Sequence, residues 1–167
     1  AFARNYGLNV RIGRFHNIFG PEGTWTGGKE KAPAAMCRKV AEAEDEIEVW
    51  GNGLQTRSFM YVDECVEACL RLMRQDDFIG PVNIGSEEMV TINELAQIAI
   101  DLSGKDIIIN NIAGQDFIDK YGFPCTLGVM GRNSHNKLFK EKVGWESKAT
   151  LRDGMAKTFE WINKQVD

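Results

Sequence analysis

Three cations and one amide in this sequence have side chains suited to an anionic, oxygen-rich ligand. Arg57 and Arg132 carry planar guanidinium forks that can bind two oxygens at once, and Lys39 offers a point charge. A diphosphate, with about two negative charges, needs fixed cations of this kind. Asn17 stands at the end of a strand-like stretch, shortly before the Gly20-Pro21 turn. Its amide both donates and accepts, which suits a sugar or phosphate oxygen. In α/β sheets, ligands gather where strands end. The plainer alternatives are solvated surface charges and, for Asn17, a side chain that only stabilises its turn.

The other reactive side chains say less. Cysteines occur at 37, 65, 69 and 125, and no two are spaced C-x-x-C. Cys65 and Cys69 share a helix face, but a disulfide along one helix is strained. A metal site would need two further ligands, and the only histidines are His16 and His135. The expectation is buried thiols in a reducing compartment and no metal.

These side chains need elements to position them. Asn9 to Arg14 alternates polar and apolar residues and predicts a strand. The glycine-rich stretch from Gly20 to Gly28 predicts a long loop, and long loops in compact domains are often functional. Between Lys31 and Glu44, Ala32, Ala35, Met36, Val40 and Ala43 recur at helical spacing, with Pro33 in the first turn. Ile47 to Trp50 predicts a strand closed by Gly51-Asn52-Gly53. Arg57 to Val62 reads as one extended piece, and Asp63 as the cap of a helix that buries Val66, Cys69, Leu70 and Met73. Pro81 to Gly85 predicts a short buried strand. Thr91 with Glu94 forms a capping box for a helix ended by Gly104. Ile107 to Ile109 predicts a strand, and residues 110–131 read as polar loop. Asn136 to Lys142 predicts a short helix ended by Gly144. Thr150 caps a last helix carrying Leu151, Met155, Phe159 and Ile162. The mixture places the chain in the α/β or α+β class.

Bulk properties exclude some functions. With 43% hydrophobic and 26% charged residues among 167, the composition is that of a globular domain or part of a larger one. The net charge of -4 argues against a nucleic-acid surface. No run of 18 apolar residues suggests a membrane span, and the first residues lack a signal pattern. The chain does not start with Met, and its opening residues read as the tail of a helix. The expectation is a missing upstream piece.

The motifs between the elements are more specific. Arg14-Phe15-His16-Asn17-Ile18-Phe19-Gly20-Pro21 resembles the R-x-x-N-x-Y-G-P signature of extended short-chain dehydrogenases. Arg57-Ser58-Phe59-Met60-Tyr61-Val62-Asp63-Glu64 resembles their R-x-F-x-Y-V-x-D segment. Asn83-Ile84-Gly85-Ser86 resembles their N-I-G strand, followed by a T-I-x-E-L helix start. A narrower match separates the subfamily. Gly27-Gly28-Lys29-Glu30-Lys31-Ala32-Pro33-Ala34-Ala35 is similar to the G-G-x-E-K-A-P-A-A block of the GDP-mannose 3,5-epimerase family. Gln55-Thr56-Arg57-Ser58-Phe59 is similar to its Q-T-R-S-F, and Gly131-Arg132-Asn133-Ser134 with Asn136 to its G-R-N-S-D-N. The resemblance runs from about Ala3 to Gln165 and is weakest over Ala113 to Leu127, which looks like an insertion. His135 stands where the family usually has Asp, Met130 where it often has Arg, and Phe19 replaces the common Tyr.

The resemblance implies an α/β chain: the C-terminal part of an extended short-chain dehydrogenase Rossmann fold plus its small α/β substrate-binding domain. It implies an NAD cofactor, GDP-mannose as substrate, a homodimer, a cytoplasmic location, and supply of GDP-L-galactose for ascorbate or glycan building. In the family reaction NAD oxidises C4 of the hexose, and the ketone acidifies the C3 and C5 hydrogens. An acid–base pair on opposite faces then inverts those centres before re-reduction, giving GDP-L-galactose and GDP-L-gulose. The family pair is a lysine and a cysteine, and the motif places the lysine at Lys31. Lysine is protonated at neutral pH, so it starts as the proton donor. The resemblance also carries Asn17, Glu30, Ala32, Lys39, Gln55, Thr56, Arg57 and Arg132 over as substrate-binding positions, with Glu30 orienting substrate or lysine. Cys37, six residues after Lys31 near the same helix, would approach from the same side and is a poor partner. The family cysteine precedes its Y-x-x-x-K motif.

Neither G-x-x-G-x-x-G nor Y-x-x-x-K occurs here. Both are expected before Ala1, so the chain by itself should neither bind NAD well nor turn over. Other readings are a 4-epimerase, 4,6-dehydratase or decarboxylase of the same superfamily, or a truncated product that only binds a nucleotide sugar.

Overall fold

The computed structural model describes residues 2–126 and 128–166. Ala1 and Leu127, which bound two of the sequence readings, lie outside them. The described elements are α1 (Phe2–Tyr6), β1 (Gly13–Phe15), β2 (Ile18–Phe19), α2 (Ala32–Glu42), β3 (Glu46–Trp50), β4 (Thr56–Ser58), β5 (Met60–Tyr61), α3 (Val62–Met73), β6 (Val82–Ile84) and β7 (Met89–Thr91). They continue with α4 (Ile92–Ser103), β8 (Ile108–Ile112), α5 (Gly114–Tyr121), β9 (Gly131–Arg132), α6 (Lys137–Val143) and α7 (Leu151–Val166). The chain is mixed α/β. β1 pairs with β6, β2 with β5 and β3 with β8, all parallel. In the remaining sheet β4 lies between antiparallel β7 and parallel β9.

Two hydrophobic clusters result. The larger joins α2, α4 and α7 over β3 through residues such as Val40, Val49, Leu95 and Met155. The smaller packs α3 and α6 on β6 through Cys65, Ala68, Leu72, Ile84 and Phe139. The segment from Phe59 to Tyr61 threads between them. Phe59 and Tyr61 point into the first cluster and Met60 into the second, as alternation along an extended chain requires.

The helix ends follow local chemistry. Thr91 and Glu94 form the expected reciprocal capping box, and Gly104 ends α4 in the left-handed region. Thr150 accepts from the Asp153 amide and Asp153 accepts from the Thr150 amide, the same device at α7. Lys105 reaches back to the C-terminus of α2 and donates to the carbonyls of Val40, Ala41 and Ala43. A cation there satisfies orphan carbonyls and the helix dipole together.

Five sequence expectations differ from the structure. Of Asn9 to Arg14 only the end enters a strand, because its partner β6 spans three residues between Pro81 and Gly85. The 57–62 extended piece is two strands broken at Phe59, whose ring turns into the core. Tyr61, not Asp63, is the N-cap of α3. That helix buries Cys65, Ala68 and Leu72, whereas Val66, Leu70 and Met73 are 52%, 40% and 68% exposed. The smaller side chains win because they let the helix lie close on the β1–β6 pair. Finally, residues 110–131 hold the end of β8, all of α5 and β9. Helix α5 is organised by one buried ring, Phe117, packed with Trp50, Tyr121 and Phe123. An isolated aromatic anchor leaves too weak a period to read.

Candidate functional site

Lys31 is the N-cap of α2, and its carbonyl accepts the first helical bond, from the Ala35 amide. Gly27 and Gly28 precede it with φ of 85° and 81°, a backbone that side chains other than glycine rarely adopt. Pro33 preorganises the first turn. The glycine loop therefore delivers Glu30 and Lys31 at a fixed point, with the Lys31 side chain exposed. Ala32 opens the helix and packs on the larger core.

Glu30 lies against the protein. Its Oε1 is 3.5 Å from Arg38, and backbone amides at Glu30 and Gly28 hold its carboxyl below the usual carboxylate range. Its Oε2 is buried without a partner. Just before β4, Gln55 is 4% exposed and its Oε1 also lacks a partner, as does the buried Ser58 hydroxyl at the end of that strand. Buried polar atoms are normally satisfied, so the Gln55 and Ser58 orphans at the two ends of β4 are places where a water or ligand atom fits.

Between these residues lies β4. Arg57 donates to the carbonyls of Thr56 and Val129 at 2.7 Å, fastening the 129–130 backbone to the strand. The parallel register sets Arg57 directly beside Arg132 and Thr56 beside Gly131. Like charges directly opposite destabilise a strand pair. An anion lying across both guanidinium groups removes that penalty.

Asn17 sits after β1 with φ of 47°. Its amide nitrogen donates to the Ser58 carbonyl at 3.0 Å, and its own carbonyl accepts from the Met60 amide. The side chain is thus used in the turn, while Oδ1 has no partner among the described residues. His16 is the residue that sequence reasoning missed; there it counted only as a scarce metal ligand. Burial pulls its imidazole below the usual range, and Arg132, Lys31 and Arg57 push the same way. These three cations come from β9, the start of α2 and β4, so His16 feels the field of three sequence-predicted residues.

Lys39 is not gathered with them. It lies two turns along α2, and its ammonium donates to the Glu48 carbonyl on β3 at 2.6 Å. Burial holds its pKa below the ordinary lysine value. The cysteines are free. Burial pushes the Cys37 thiol up to about 12, unsuited to acid–base work at neutral pH.

A cleft of about 600 Å³ opens elsewhere, between the end of β6 and the segment around α6. Several of its charged residues have partners. Lys140 pairs with Glu146 at 2.6 Å, Glu87 accepts from the Asn136 amide and Glu88 from the Leu151 amide. The candidate site is placed instead at Arg57 and Arg132, which neighbour each other across β4 and β9, together with Lys31 at the entrance to α2. No helix among the described residues opens on a G-x-x-G-x-x-G turn, and α2, α3 and α4 start at Lys31, Tyr61 and Thr91. Among the described residues, therefore, no glycine-turn cradle of that kind is seen.

The model of the NAD dependent epimerase/dehydratase family matches residues 1–85, and the chain belongs to that family. It is 49% identical over 166 residues to the GDP-mannose 3,5-epimerase of Arabidopsis thaliana, covering 99% of this chain and 41% of that protein. Among solved structures it resembles the UDP-glucose 4-epimerase of Thermotoga maritima with UDP-glucose. That similarity has a TM-score of 0.80 and 27% identity, over 99% of this chain and 50% of that one. It shares its fold with UDP-glucuronic acid 4-epimerase from Bacillus cereus in complex with NAD, at a TM-score of 0.75 and 19% identity, over 98% of this chain and 46% of that one. The chain thus spans less than half the length of the curated relative. Among the described residues no helix is long and apolar enough to cross a membrane.

Proposed function

We propose that this chain is the substrate-binding, C-terminal half of an NAD-dependent epimerase that converts GDP-mannose to GDP-L-galactose and GDP-L-gulose, working as a homodimer in the cytoplasm. The observation that carries the reading is the strand register that sets Arg57 beside Arg132, with Lys31 exposed at the glycine-loop entrance to α2. The identity to the Arabidopsis epimerase supports the choice of substrate.

NAD, when bound, would supply the hydride chemistry. The chain's own residues bind, orient and move one proton. Arg57 and Arg132 take the diphosphate, and their mutual repulsion is relieved when it binds. Gln55, just before β4, Thr56 at its start, and Asn17 Oδ1 offer polar atoms to the nucleotide sugar. Glu30 supplies an unpartnered carboxylate oxygen next to the lysine. Lys39 steadies the α2–β3 contact that fixes this platform. Lys31 gives its Nζ proton to a ring carbon after a base on the opposite face has removed the original hydrogen. The neutral amine is then recharged from solvent.

The test is proton NMR of GDP-mannose with the whole protein and NAD in deuterated water. Exchange at C3 and C5 is expected, and Lys31→Ala is expected to slow it by roughly 10²- to 10⁴-fold while nucleotide-sugar binding persists. Inversion at C4 alone, dehydration or decarboxylation by the wild type would replace this reading with another activity of the family. Sugar binding without turnover would leave a binding protein.

A further inference from the structure

The hydrogen-bond geometry around His16 fixes its tautomer. The Ser58 carbonyl can only accept, so the Asn17 side-chain atom 3.0 Å from it must be the NH2 group. The same nitrogen lies 3.3 Å from His16 Nε2. Its second hydrogen therefore faces Nε2, which must present a lone pair. The proton of a neutral imidazole then sits on Nδ1.

The ring has little freedom. The His16 amide donates to the Ile84 carbonyl at 2.9 Å. A Cβ at Gly85 would lie 2.9 Å from the His16 Cβ and 2.7 Å from the Ser134 hydroxyl, closer than real contacts allow. Only glycine at 85 lets the ends of β1 and β6 and the 133–136 segment converge on this histidine. Asn136 completes the seat by donating to the Gly85 carbonyl at 2.8 Å. A residue whose only task was to hold Asn17 would need none of this.

Nδ1–H has no acceptor among the described residues. The charged groups nearest in effect, Lys31, Arg57 and Arg132, carry donors only. Its acceptor is therefore solvent in the free protein and an oxygen of the ligand once one is bound.

We infer that His16 is a positioning residue of the proposed sugar site: as the Nδ1–H tautomer it donates to an uncharged oxygen of the hexose, a hydroxyl or the transient ketone. This rests on the nucleotide-sugar reading above. The three cations answer the diphosphate, and the neutral imidazole answers the uncharged ring. Protonation would destroy the arrangement, because Nε2–H would face the Asn17 NH2 group.

Two measurements test it in the whole protein. Long-range nitrogen–proton NMR of the imidazoles is expected to show His16 at neutral pH with Nδ1 protonated and Nε2 bare. The opposite tautomer, or a doubly protonated ring, overturns the inference whether or not the enzyme turns over GDP-mannose. Kinetics then separate positioning from scaffolding. Asparagine places an N–H near Nδ1, and glutamine places its amide near Nε2. His16→Gln keeps a partner for Asn17 and is expected to raise KM roughly fivefold, while His16→Asn stays within about twofold, as one hydrogen bond to an uncharged oxygen requires. Equal losses, or the reverse order, mean that His16 only braces Asn17. A wild type that handles no nucleotide sugar would instead refute the function while leaving the tautomer result standing.

Discussion

Helices α2 and α3 have similar lengths and opposite fates. α2 buries Pro33, Ala34, Met36, Cys37 and Val40 and is covered by α4 and α7. α3 buries one narrow stripe, Cys65, Ala68 and Leu72, and leaves a second apolar stripe at Val66, Leu70 and Met73 in solvent. The neighbouring strand repeats the contrast, since Phe15 is 61% exposed. A helix with two apolar faces needs two partners, and this chain supplies one. The site lies where the two regions meet: Lys31 on the closed side, His16 and Asn17 at the end of β1 on the open side, and β4 between. A rigid platform thus faces a layer that is finished on one side only.

The sharpest test of the contrast is to cut both regions equally. Leu95→Ala in the closed core removes a fully buried side chain and is expected to cost about 2–5 kcal/mol of unfolding free energy in urea titrations. Met73→Ala on the open face is expected to cost less than about 0.5 kcal/mol in this chain alone. A loss of several kcal/mol at Met73 would show that the face is already covered.

The next effect belongs to the seam. Arg57→Ala removes the bonds to the Thr56 and Val129 carbonyls and is expected to cost about 1–2 kcal/mol. Faster amide exchange confined to residues 128–132 would identify the cause. Its strand neighbour should behave differently. Arg132 makes no hydrogen bond among the described residues, and it faces Arg57. Arg132→Ala is expected to raise the stability of the ligand-free protein by about 0.3 kcal/mol, yet to weaken nucleotide-sugar binding roughly tenfold. Calorimetric binding with a parallel melt reads both signs, and a variant that loses both has lost a structural residue.

The closed side was legible in the sequence because its signals are local. Thr91 with Glu94, Gly104, Pro33 and the spacing of Met36 and Val40 each state a cap, a stop or a face. The open side was misread for a physical reason. The stripe at Val66, Leu70 and Met73 is the more apolar one, and apolarity by itself does not say which partner is present. Helix α5 was missed because a single ring, Phe117, anchors it. Motifs named Arg57 and Arg132, which the strand register sets side by side, and Lys39, whose ammonium donates to a strand carbonyl. His16 carried no periodic or compositional signal. Its role depends on three cations from distant parts of the chain, and such a field exists only after folding.

The smallest expected effect is a pH dependence at that seam. His16 titrates below the ordinary imidazole value when folded, through burial and then through Arg132, Lys31 and Arg57. As pH falls, the unfolded chain takes this proton first. The stability tied to a neutral His16 is therefore fully present above the unfolded value near 6.5 and is lost as pH drops through it toward the folded value. Urea midpoints measured from about pH 7.5 down to about 5.5 should fall in the wild type and fall less in His16→Asn. Pyrophosphate seated on the arginines would offset the cations and move the folded titration back up, shrinking the acid loss. If pyrophosphate leaves the slope unchanged while it binds, the anion lies outside the field that His16 feels, and the seam does not join the two regions electrostatically.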